Sequence, residues 1–503
     1  IDQEDFDMTN KLIVALPDVE AFLQRARGSF IDGGFREQGN PIAIINPADG
    51  SQLSTVAQGD VALADEAVAI TKGSFDDRRW RGMSPAQRER ILLKFADLVE
   101  QHSEELAQIE TLNQGKSINI SRAVDAGFSV DFIRYMAGWT TKLEGKTGDV
   151  SIGMPEGANF NAYTLRQPVG VVAAIVPWNF PMMIALWKAI PALAAGCSVV
   201  VKPASETPLS VLRLAELAVE AGVPKGVFNV ILGSGSVVGQ HLAGHADVDK
   251  VTFTGSTEVG KVIGHAAVDH MASFSLELGG KNPMLVLADA DIEKAVNGAL
   301  MGGLLNQGQV CAAASRFYVH RSLHDEFCSR LRSVVDQMSV GPGMDPQAQV
   351  NPVVSQRHQR SILQHLERAK AQGANVHYGV QVPEEGFYVS PVIISDAKQT
   401  FDIVREEAFG PILTVIPFDD VNEALAMVND SELGLAASLW TESLSEAMRL
   451  TPEIEAGTVW VNTHVTLDPS LPFGGFKQSG IGKEFGQEAI YSYTKLKSIC
   501  IAY

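Results

Sequence analysis

From residue 169 onward, short apolar strands alternate with helical segments, and this alternation constrains the fold more than any other feature of the chain. It predicts a mainly parallel sheet with helices on both faces. In such sheets a nucleotide binds at the carboxyl ends of the strands. A second series of the same kind starts near Asn282. In the first series we predict strands at 169–176, 198–201, 227–232 and 251–253, with helices at 182–195 and 208–221.

The apolar stretch 169–187 is long enough to resemble a membrane span, because no charged residue occurs in it before Lys188. Pro177, Asn179 and Pro181 interrupt it in the middle, where a continuous helix would lose backbone hydrogen bonds. The stretch is therefore predicted to form a buried strand, a loop and a buried helix, and no membrane association is expected.

Composition excludes several classes of protein. The 503 residues, 46% of them hydrophobic, correspond to roughly three domains. Forty Lys+Arg against 59 Asp+Glu give a net charge of −19, which disfavours binding to nucleic acid or an anionic membrane. Residues 1–10 lack the basic and apolar parts of a secretory signal, although a chain that begins at Ile1 could have lost one; the sparse cysteines are what favours a reducing cytoplasm. The cysteines are too few and too widely spaced for a disulfide framework or a metal site: Cys197, Cys311, Cys328 and Cys500.

Three side chains are candidates for nucleophilic chemistry. Cys311 lies among small residues in NQGQVCAA, although a single thiol in such a run is more often a core residue. Glu277 ends a predicted strand between two leucines, where a desolvated carboxylate acts as a base near neutral pH; the alternative is an ion pair with Lys281. Asn179, between aromatic residues and prolines, is either a turn residue or an amide donor to an oxyanion.

Two glycine-containing segments and one lysine follow predicted strands and are candidates for nucleotide binding. Segment 233–239 (GSGSVVG) lacks the G-x-G-x-x-G spacing of the dinucleotide fingerprint and by itself is more often a plain turn. Segment 253–260 (FTGSTEVG) opens a helix, so its backbone N–H groups and hydroxyls can face a phosphate. Lys202 follows strand 198–201, at the edge where a ribose can bind.

Six sequence blocks occur in the order found in the aldehyde dehydrogenase superfamily, which the chain resembles from about residue 30 to residue 500. Within the family, segments 98–118 and 315–351 are most similar to members that oxidise phenylacetaldehyde in bacterial aromatic catabolism. The six blocks are PWNFP at 177–181, FTGST at 253–257, ELGGK at 277–281, GQVC at 308–311, EEAFGP at 406–411 and PFGGFKQSG at 472–480.

The resemblance implies an α/β, aldehyde dehydrogenase-like fold and a homotetramer. The hairpin 150–166 and the terminal strand 493–503 are similar to the family's oligomerisation elements, with exposed edges that pair with another subunit. The implied parts are a Rossmann-like dinucleotide-binding domain (1–146 and 168–280), an α/β catalytic domain (281–480) and a small β oligomerisation element (147–167 and 481–503).

For catalysis the resemblance implies that Cys311 is the nucleophile and Glu277 the general base. Asn179 and the backbone N–H of Cys311 are implied as the oxyanion hole, and Lys188 and Glu484 as a proton relay near the base. Thiolate addition to an aldehyde gives an alkoxide whose collapse expels hydride, which a free aldehyde does not readily release. Water activated by the base then cleaves the resulting thioester.

For the cofactor the resemblance implies NAD, with Lys202 and Glu407 at the two riboses and Ser256 at the pyrophosphate. Many NAD-preferring relatives carry glutamate at the position of Ser205. A carboxylate would repel the additional phosphate of NADP and a hydroxyl would not, so some NADP use is expected. The other implied cofactor contacts are Phe409 at the nicotinamide, Gly235 and Gly239 at the adenine side, and Val176, Trp178, Phe253, Val259 and Leu278.

The substrate tunnel that the resemblance implies contains no arginine, although simple core packing is the alternative for each of its residues. A semialdehyde carries a carboxylate at the end away from its aldehyde group, and in such a tunnel that carboxylate would lack a charged partner. This favours an uncharged aromatic or long aliphatic aldehyde. Phenylacetaldehyde is the expected substrate. The implied lining consists of Phe180, Met183, Ile184, Trp187, Leu467 and Phe473.

Two other classes of function use some of the same residues. A cysteine hydrolase would employ Cys311 and Glu277 on esters without a redox step, and cofactor-independent ester turnover without aldehyde oxidation would identify it. A binding or structural descendant of the fold would be expected to have lost a catalytic residue, whereas Cys311, Glu277 and Asn179 are all present.

Overall fold

The computed structural model describes residues 13–25, 27–151 and 156–503. Two large sheets organise this part of the chain, one of eight strands and one of seven, with helices packed against both. The expected α/β class with two strand-and-helix series is confirmed.

The first sheet contains the predicted nucleotide-binding series, and its five central strands are parallel. Successive strands lie on one side of Val171–Ile175, and the next strand in the sequence, Lys250–Thr254, pairs with its other side. The direction in which strands are added therefore reverses between these two neighbours. The crevice at the carboxyl ends of these two neighbours is where open α/β sheets bind nucleotides. In spatial order the strands are Gly34–Arg36, Ser29–Ile31, Phe228–Val230, Ser198–Lys202, Val171–Ile175, Lys250–Thr254, Ser273–Glu277 and Gly480–Ile481.

The eighth strand of this sheet comes from a distant part of the chain. Gly480–Ile481 pairs antiparallel with Ser273–Glu277, and Gly480 lies opposite Glu277. Ser479 extends the connection, since its carbonyl accepts from the Leu278 N–H at 2.9 Å and its hydroxyl donates to the Gly279 carbonyl at 2.7 Å. The segment that follows the second sheet is therefore bonded to the strand that ends in Glu277.

The second sheet places Cys311 close to one of its central strands. All of its strands are parallel except Asn375–Tyr378. Cys311 lies just before Ala314–His320. In spatial order the strands are Asn375–Tyr378, Val392–Ser395, Ile412–Phe418, Ala314–His320, Asn282–Val286, Ala436–Trp440 and Thr458–Val461.

The apolar stretch after residue 169 forms the strand Val171–Ile175, a loop and the helix Pro181–Ala195, as predicted. Every residue of this helix is buried, which explains why the stretch is apolar on all sides. No helix among the described residues combines the length and apolar character needed to cross a bilayer.

A third sheet carries the expected terminal strand, now bounded as Thr494–Ala502, along the full length of Phe160–Pro168. The predicted hairpin at 150–166 is only partly correct, because the strand on the other side is Thr147–Gly148 and residues 149–151 form no strand. Alternating polarity does not determine which residues pair, so the pattern alone misplaced this arm; its residues 152–155 lie outside the described part. Two further strand pairs are Asn40–Ile45 with Gln52–Gln58 and Leu433–Gly434 with Phe476–Lys477.

The helices connect these strands. Within the described ranges the α-helices are Pro17–Gln24, Val61–Asp76, Pro85–Gln101, Ser103–Gln114, Ile118–Ile120, Ser129–Ala137, Pro181–Ala195, Leu209–Ala221, Gln240–Ala243, Thr257–Val268, Ile292–Leu304, Arg321–Val335, Gln356–Ala371, Asp402–Arg405, Val421–Asn429, Leu444–Leu450 and Gly486–Ser492. Ser121–Phe128 and Gly235–Gly239 are π-helical, and Leu305–Gly308 and Thr451–Glu453 form short 3₁₀ turns.

Candidate active site

An unusual turn presents Cys311 between the helix Ile292–Leu304 and the next strand. Three successive residues have left-handed backbone conformations, with φ of 48° at Asn306, 56° at Gln307 and 71° at Gly308. L side chains rarely adopt this region, and Asn is among the types that tolerate it best. The turn places Cys311 on the wall of a cavity that also borders the first sheet.

That cavity has a volume of about 250 Å³ and combines side chains that are far apart in sequence. Cys311 and Asn179, predicted for catalysis, line it together with five residues predicted to contact the cofactor. The complete lining is Pro177, Trp178, Asn179, Thr254, Gly255, Ser256, Leu278, Gly279, Cys311, His358, Glu407 and Phe409.

The Asn179 side chain is buried and oriented by one hydrogen bond. Its Nδ2 donates to the backbone carbonyl of Gln309 at 3.0 Å, while its Oδ1 has no hydrogen-bond partner in the described structure. An amide nitrogen carries two hydrogens, so one N–H remains available on the side chain that lines the cavity with Cys311. This arrangement suits a donor to a developing oxyanion.

The Glu277 side chain is buried, and neither of its carboxylate oxygens has a hydrogen-bond partner among the described residues. Burial, and then the charge of Glu484, raise the pKa of Glu277 well above its usual value. A Cβ added at Gly474 would lie 2.6 Å from Glu277 Oε1, so glycine there leaves room for the carboxylate. The alternative ion pair with Lys281 does not form within the described part of the chain, because neither carboxylate oxygen of Glu277 has a partner there, and the raised pKa makes this carboxylate a stronger base.

Lys188 and Glu484 form a buried ion pair behind Glu277. Lys188 Nζ lies 2.7 Å from Glu484 Oε1 and also donates to Thr252 Oγ1 at 3.1 Å. Both charges act on Glu277, because Glu484 raises its pKa and Lys188 lowers it. The two residues predicted as a relay are thus adjacent to the predicted base.

The surroundings of the Cys311 thiol disfavour its thiolate form. Burial, followed by the negative charges of Glu407 and Glu277, raises the pKa of Cys311 to about 12. The thiolate is the nucleophilic form, so a base or an added positive charge has to promote its formation.

Residues predicted for the adenine half of the cofactor meet at the carboxyl edge of the first sheet. Lys202 is buried, which lowers its pKa to about 8, and its Nζ donates only to the Pro203 carbonyl at 2.8 Å among the described residues. A Cβ at Gly239 would lie 3.4 Å from the Lys202 Cδ. Ser205 Oγ accepts from Gln58 Nε2 at 3.2 Å. The predicted Val176, Phe253 and Gly235 lie in or beside the same part of the sheet.

Residues predicted for the rest of the cofactor lie on the side of Cys311. Ser256 caps the helix Thr257–Val268, whose free N–H groups can bind a phosphate. Burial raises the pKa of Glu407 to about 7, and Glu407 Oε1 accepts from the Gly280 N–H at 3.1 Å. Val259, in the first turn of the same helix, is 48% exposed. These features fit a dinucleotide.

The six predicted substrate residues all belong to, or pack against, one large hydrophobic core, and Cys311 packs against the same core. The Trp187 and Phe473 ring centres are 6.4 Å apart. Lys116 Nζ lies 4.2 Å from the centre of the Phe180 ring, but Asp125 holds it at 3.0 Å. Phe128 and Phe485, which were not predicted, pack against Trp187. None of the six predicted residues lines the cavity that contains Cys311, and their role as a substrate tunnel stays a prediction: Phe180, Met183, Ile184, Trp187, Leu467 and Phe473.

Sequence reasoning missed His358, which lines the cavity. His358 Nε2 donates to the Phe409 carbonyl at 2.8 Å, and its ring lies 4.8 Å from that of Trp178. Burial lowers the pKa of His358 to about 4, so the imidazole is neutral at physiological pH. Its bond supports Phe409, which has a left-handed φ of 52°. No motif surrounds this histidine, and only the folded contact identifies it.

One group of side chains in the described residues has the composition of a metal site, and it lies at the surface away from Cys311. Asp65 Oδ1 lies 2.5 Å from His241 Nε2 and 3.4 Å from His245 Nε2. His245 Nδ1 accepts from the Asp247 N–H at 3.1 Å. His241 Nε2 and His245 Nδ1 are therefore already engaged in hydrogen bonds.

Comparison with known proteins supports the same interpretation. The sequence model described as "Aldehyde dehydrogenase family" matches residues 35–499. The chain is 48% identical over 463 residues to a phenylacetaldehyde dehydrogenase of Pseudomonas fluorescens, which covers 92% of each chain. It is 42% identical over 467 residues to a mitochondrial aldehyde dehydrogenase of Leishmania tarentolae, again 92% of each chain.

Solved structures agree with the sequence relatives. An NAD⁺ complex of an aldehyde dehydrogenase from Bacillus cereus superposes with a TM-score of 0.94 at 40% identity, covering 98% of this chain and 99% of that one. PnpE in complex with nicotinamide adenine dinucleotide superposes with a TM-score of 0.91 at 42% identity, covering 94% and 97%.

Proposed function

Because the chain belongs to the aldehyde dehydrogenase family, we propose that this NAD-dependent enzyme oxidises an uncharged aromatic aldehyde, with phenylacetaldehyde as the leading substrate. The observation that carries the proposal is the cavity in which Cys311 and Asn179 face Glu407 and Phe409. The apolar character of the six predicted tunnel residues, none of which carries a charge, supports an uncharged substrate. The name of the Pseudomonas fluorescens relative supports phenylacetaldehyde.

In the first half-reaction Cys311 loses its thiol proton, to Glu277 or water, and Sγ bonds to the aldehyde carbon. The free N–H of Asn179 and the backbone N–H of Cys311 stabilise the oxygen, which takes the negative charge. Collapse of this adduct breaks the C–H bond and leaves a thioester on Cys311. Bound NAD supplies the acceptor for the hydride and its two electrons. Lys202 and Glu407 would hold its riboses, Ser256 its pyrophosphate and Phe409 its nicotinamide.

In the second half-reaction Glu277 removes a proton from water as the water oxygen bonds to the thioester carbon. The bond to Sγ then breaks and the carboxylic acid leaves. The unpartnered, buried carboxylate of Glu277 is suited to this step, since a raised pKa increases its strength as a base. Glu484 and Lys188 would pass the proton on from Glu277.

A panel of aldehydes tests the proposed substrate class. We expect kcat/KM for phenylacetaldehyde to exceed that for succinic semialdehyde at least about 100-fold, because the carboxylate at the other end of the semialdehyde would be buried without a partner. Benzaldehyde and hexanal should rank between them, and NADP should support some turnover because Ser205 adds no negative charge. The measurement is absorbance of the reduced nicotinamide with each cofactor.

The same panel separates the alternatives. Preference for succinic semialdehyde would contradict the proposed class. Preference for hexanal would indicate an aliphatic substrate. Ester hydrolysis without cofactor and without oxidation of any aldehyde would instead identify a cysteine hydrolase.

A homotetramer is proposed from the third sheet and stays a prediction. Three apolar side chains of this sheet are exposed, with Leu165 at 40% and Ile501 at 46% on one face and Leu496 at 59% on the other. An exposed nine-residue strand such as Thr494–Ala502 offers an unpaired edge to a second chain.

Sedimentation of the protein at micromolar concentration should give about four times the chain mass of 54.0 kDa. Leu496→Asp should shift the population to smaller species, because it places a charge in the apolar contact. A single monomeric species in the unmodified protein would refute the assembly.

A reducing cytoplasm is proposed on the basis of the cysteines. All four are unpaired, and Cys500 is exposed near the end of the chain. Disulfides form readily in oxidising compartments, where a free exposed thiol is uncommon.

A further inference from the structure

Three buried amide side chains form a closed ring of hydrogen bonds beside Cys311. Asn179 Nδ2 donates to the backbone carbonyl of Gln309 at 3.0 Å. Gln309 Nε2 donates to the backbone carbonyl of Asn306 at 3.0 Å. Asn306 Nδ2 completes the ring by donating to the backbone carbonyl of Asn179 at 3.1 Å. The ring joins the loop that carries Asn179 to the turn that carries Cys311.

The ring determines which way each amide points. Gln309 Oε1 accepts from the Val354 N–H at 3.0 Å, so its nitrogen has to face Asn306. Asn179 uses one N–H on Gln309, and its Oδ1 has no partner within the described part of the chain. Its second N–H is therefore the only other donor of that side chain, and Asn179 lines the cavity together with Cys311.

The ring also spans the left-handed turn. Asn306, at φ 48°, is the first of the three residues in this conformation, and Gln309 follows the last of them. The backbone N–H of Gln309 donates to the Asn306 carbonyl at 3.0 Å, which closes the turn. A change in the turn would therefore move both Cys311 and the support of the Asn179 amide.

We propose that Asn306 and Gln309 are positioning residues that hold the Asn179 amide and the Cys311 turn as one unit, so that donor and nucleophile keep their separation through both half-reactions. The proposal rests on the oxyanion role assigned to Asn179 above. Neither residue touches the reacting atoms, and both act through Asn179.

Asn306→Gly tests the proposal with little change in backbone strain, because glycine adopts a positive φ readily and only the amide is removed. The rate of hydride transfer in the first turnover should fall about 10- to 100-fold, since a donor out of position loses much of its effect. Alkylation of Cys311 by iodoacetamide needs no oxyanion and should stay within about threefold, as should KM for NAD.

Gln307→Gly is the matched control. Gln307 has φ 56° in the same turn, but its Nε2 donates to the Gln349 carbonyl at 3.1 Å, outside the ring. Hydride transfer in this variant should stay within about threefold of the unmodified enzyme. Equal losses in the two glycine variants would indicate a purely structural role and overturn the proposal.

A double-mutant cycle with Asn179→Ala gives the decisive comparison. If Asn306 acts through Asn179, Asn306→Gly should have no further effect on hydride transfer in the Asn179→Ala background. Additive losses would overturn the proposal even if Asn179 is the oxyanion donor. An Asn179→Ala variant with unchanged hydride transfer would instead refute the oxyanion role itself.

Asn306→Asp is the second variant, for use if Asn306→Gly does not fold. It keeps the volume and the tolerance of positive φ but removes the donor to the Asn179 carbonyl. The same selective loss of hydride transfer is expected, and equal loss of alkylation and hydride transfer would contradict it.

Discussion

Replacing Cys311 by alanine should lower kcat for phenylacetaldehyde oxidation by about 10⁴-fold or more, because no sulfur remains to bond the aldehyde carbon. Without that bond the carbon has no alkoxide from which hydride can leave. The measurement is the growth of reduced-nicotinamide absorbance. Ester hydrolysis should fall with it, since both reactions need the same nucleophile.

Cys328→Ala is the matched control for this variant. Cys328 is buried in the helix Arg321–Val335, outside the cavity that contains Cys311. Activity should stay within about threefold of the unmodified enzyme. Binding of NAD to Cys311→Ala, followed by quenching of protein fluorescence, should be retained. Full activity in Cys311→Ala would refute the assignment of the nucleophile.

Glu277→Gln should separate the two half-reactions. The amide that replaces the carboxylate would keep the size of the side chain but could not take a proton from water, so the thioester should accumulate after one turnover. We expect a rapid burst of one reduced nicotinamide per active site, followed by steady-state turnover reduced about 10²- to 10⁴-fold. Rapid-mixing absorbance measures both phases. Loss of the burst together with the steady state would contradict a role confined to hydrolysis and would indicate that Glu277 also takes the thiol proton of Cys311 in the first half-reaction.

The pH dependence of hydrolysis follows from the same carboxylate. The deprotonated form of Glu277 is the base, and burial together with Glu484 raises its pKa well above the usual value. The rate of hydrolysis should therefore increase as the pH rises through this raised pKa, which gives a rising limb in the pH–rate profile. Glu277→Gln should remove that limb. Glu484→Gln removes a negative charge that raises the pKa, so it should shift the limb to lower pH. If the rising limb of the pH–rate profile is unchanged in both variants, a group other than Glu277 is responsible for it.

The sequence was sufficient to predict the α/β class and the parallel series after residue 169, because buried parallel strands are continuously apolar. It also predicted the buried helix Pro181–Ala195, since prolines interrupt the stretch before it. The strand predicted at 227–232 is shorter in the structure, where it spans Phe228–Val230. Gly235–Gly239 forms a π-helix, although the glycine pattern by itself favoured a turn. Element ends depend on tertiary contacts that the local pattern does not contain.

The amino-acid pattern could not predict how the site is held together. The residue types at Asn306 and Gln309 were visible, but their ring with Asn179 depends on a contact across 127 positions of the chain. The left-handed backbone at Gln307 has no compositional signal either, because glutamine does not favour it. His358 carried no motif. These features arise from the way distant segments meet, whereas Cys311 and Glu277 were recognisable from their blocks.

The pairing of Gly480–Ile481 with Ser273–Glu277 has a consequence for how the enzyme exchanges its cofactor. A wide hinge opening between the two halves of the molecule would have to pull this ladder apart beside the general base. We therefore expect NAD to enter and leave while these two strands stay paired.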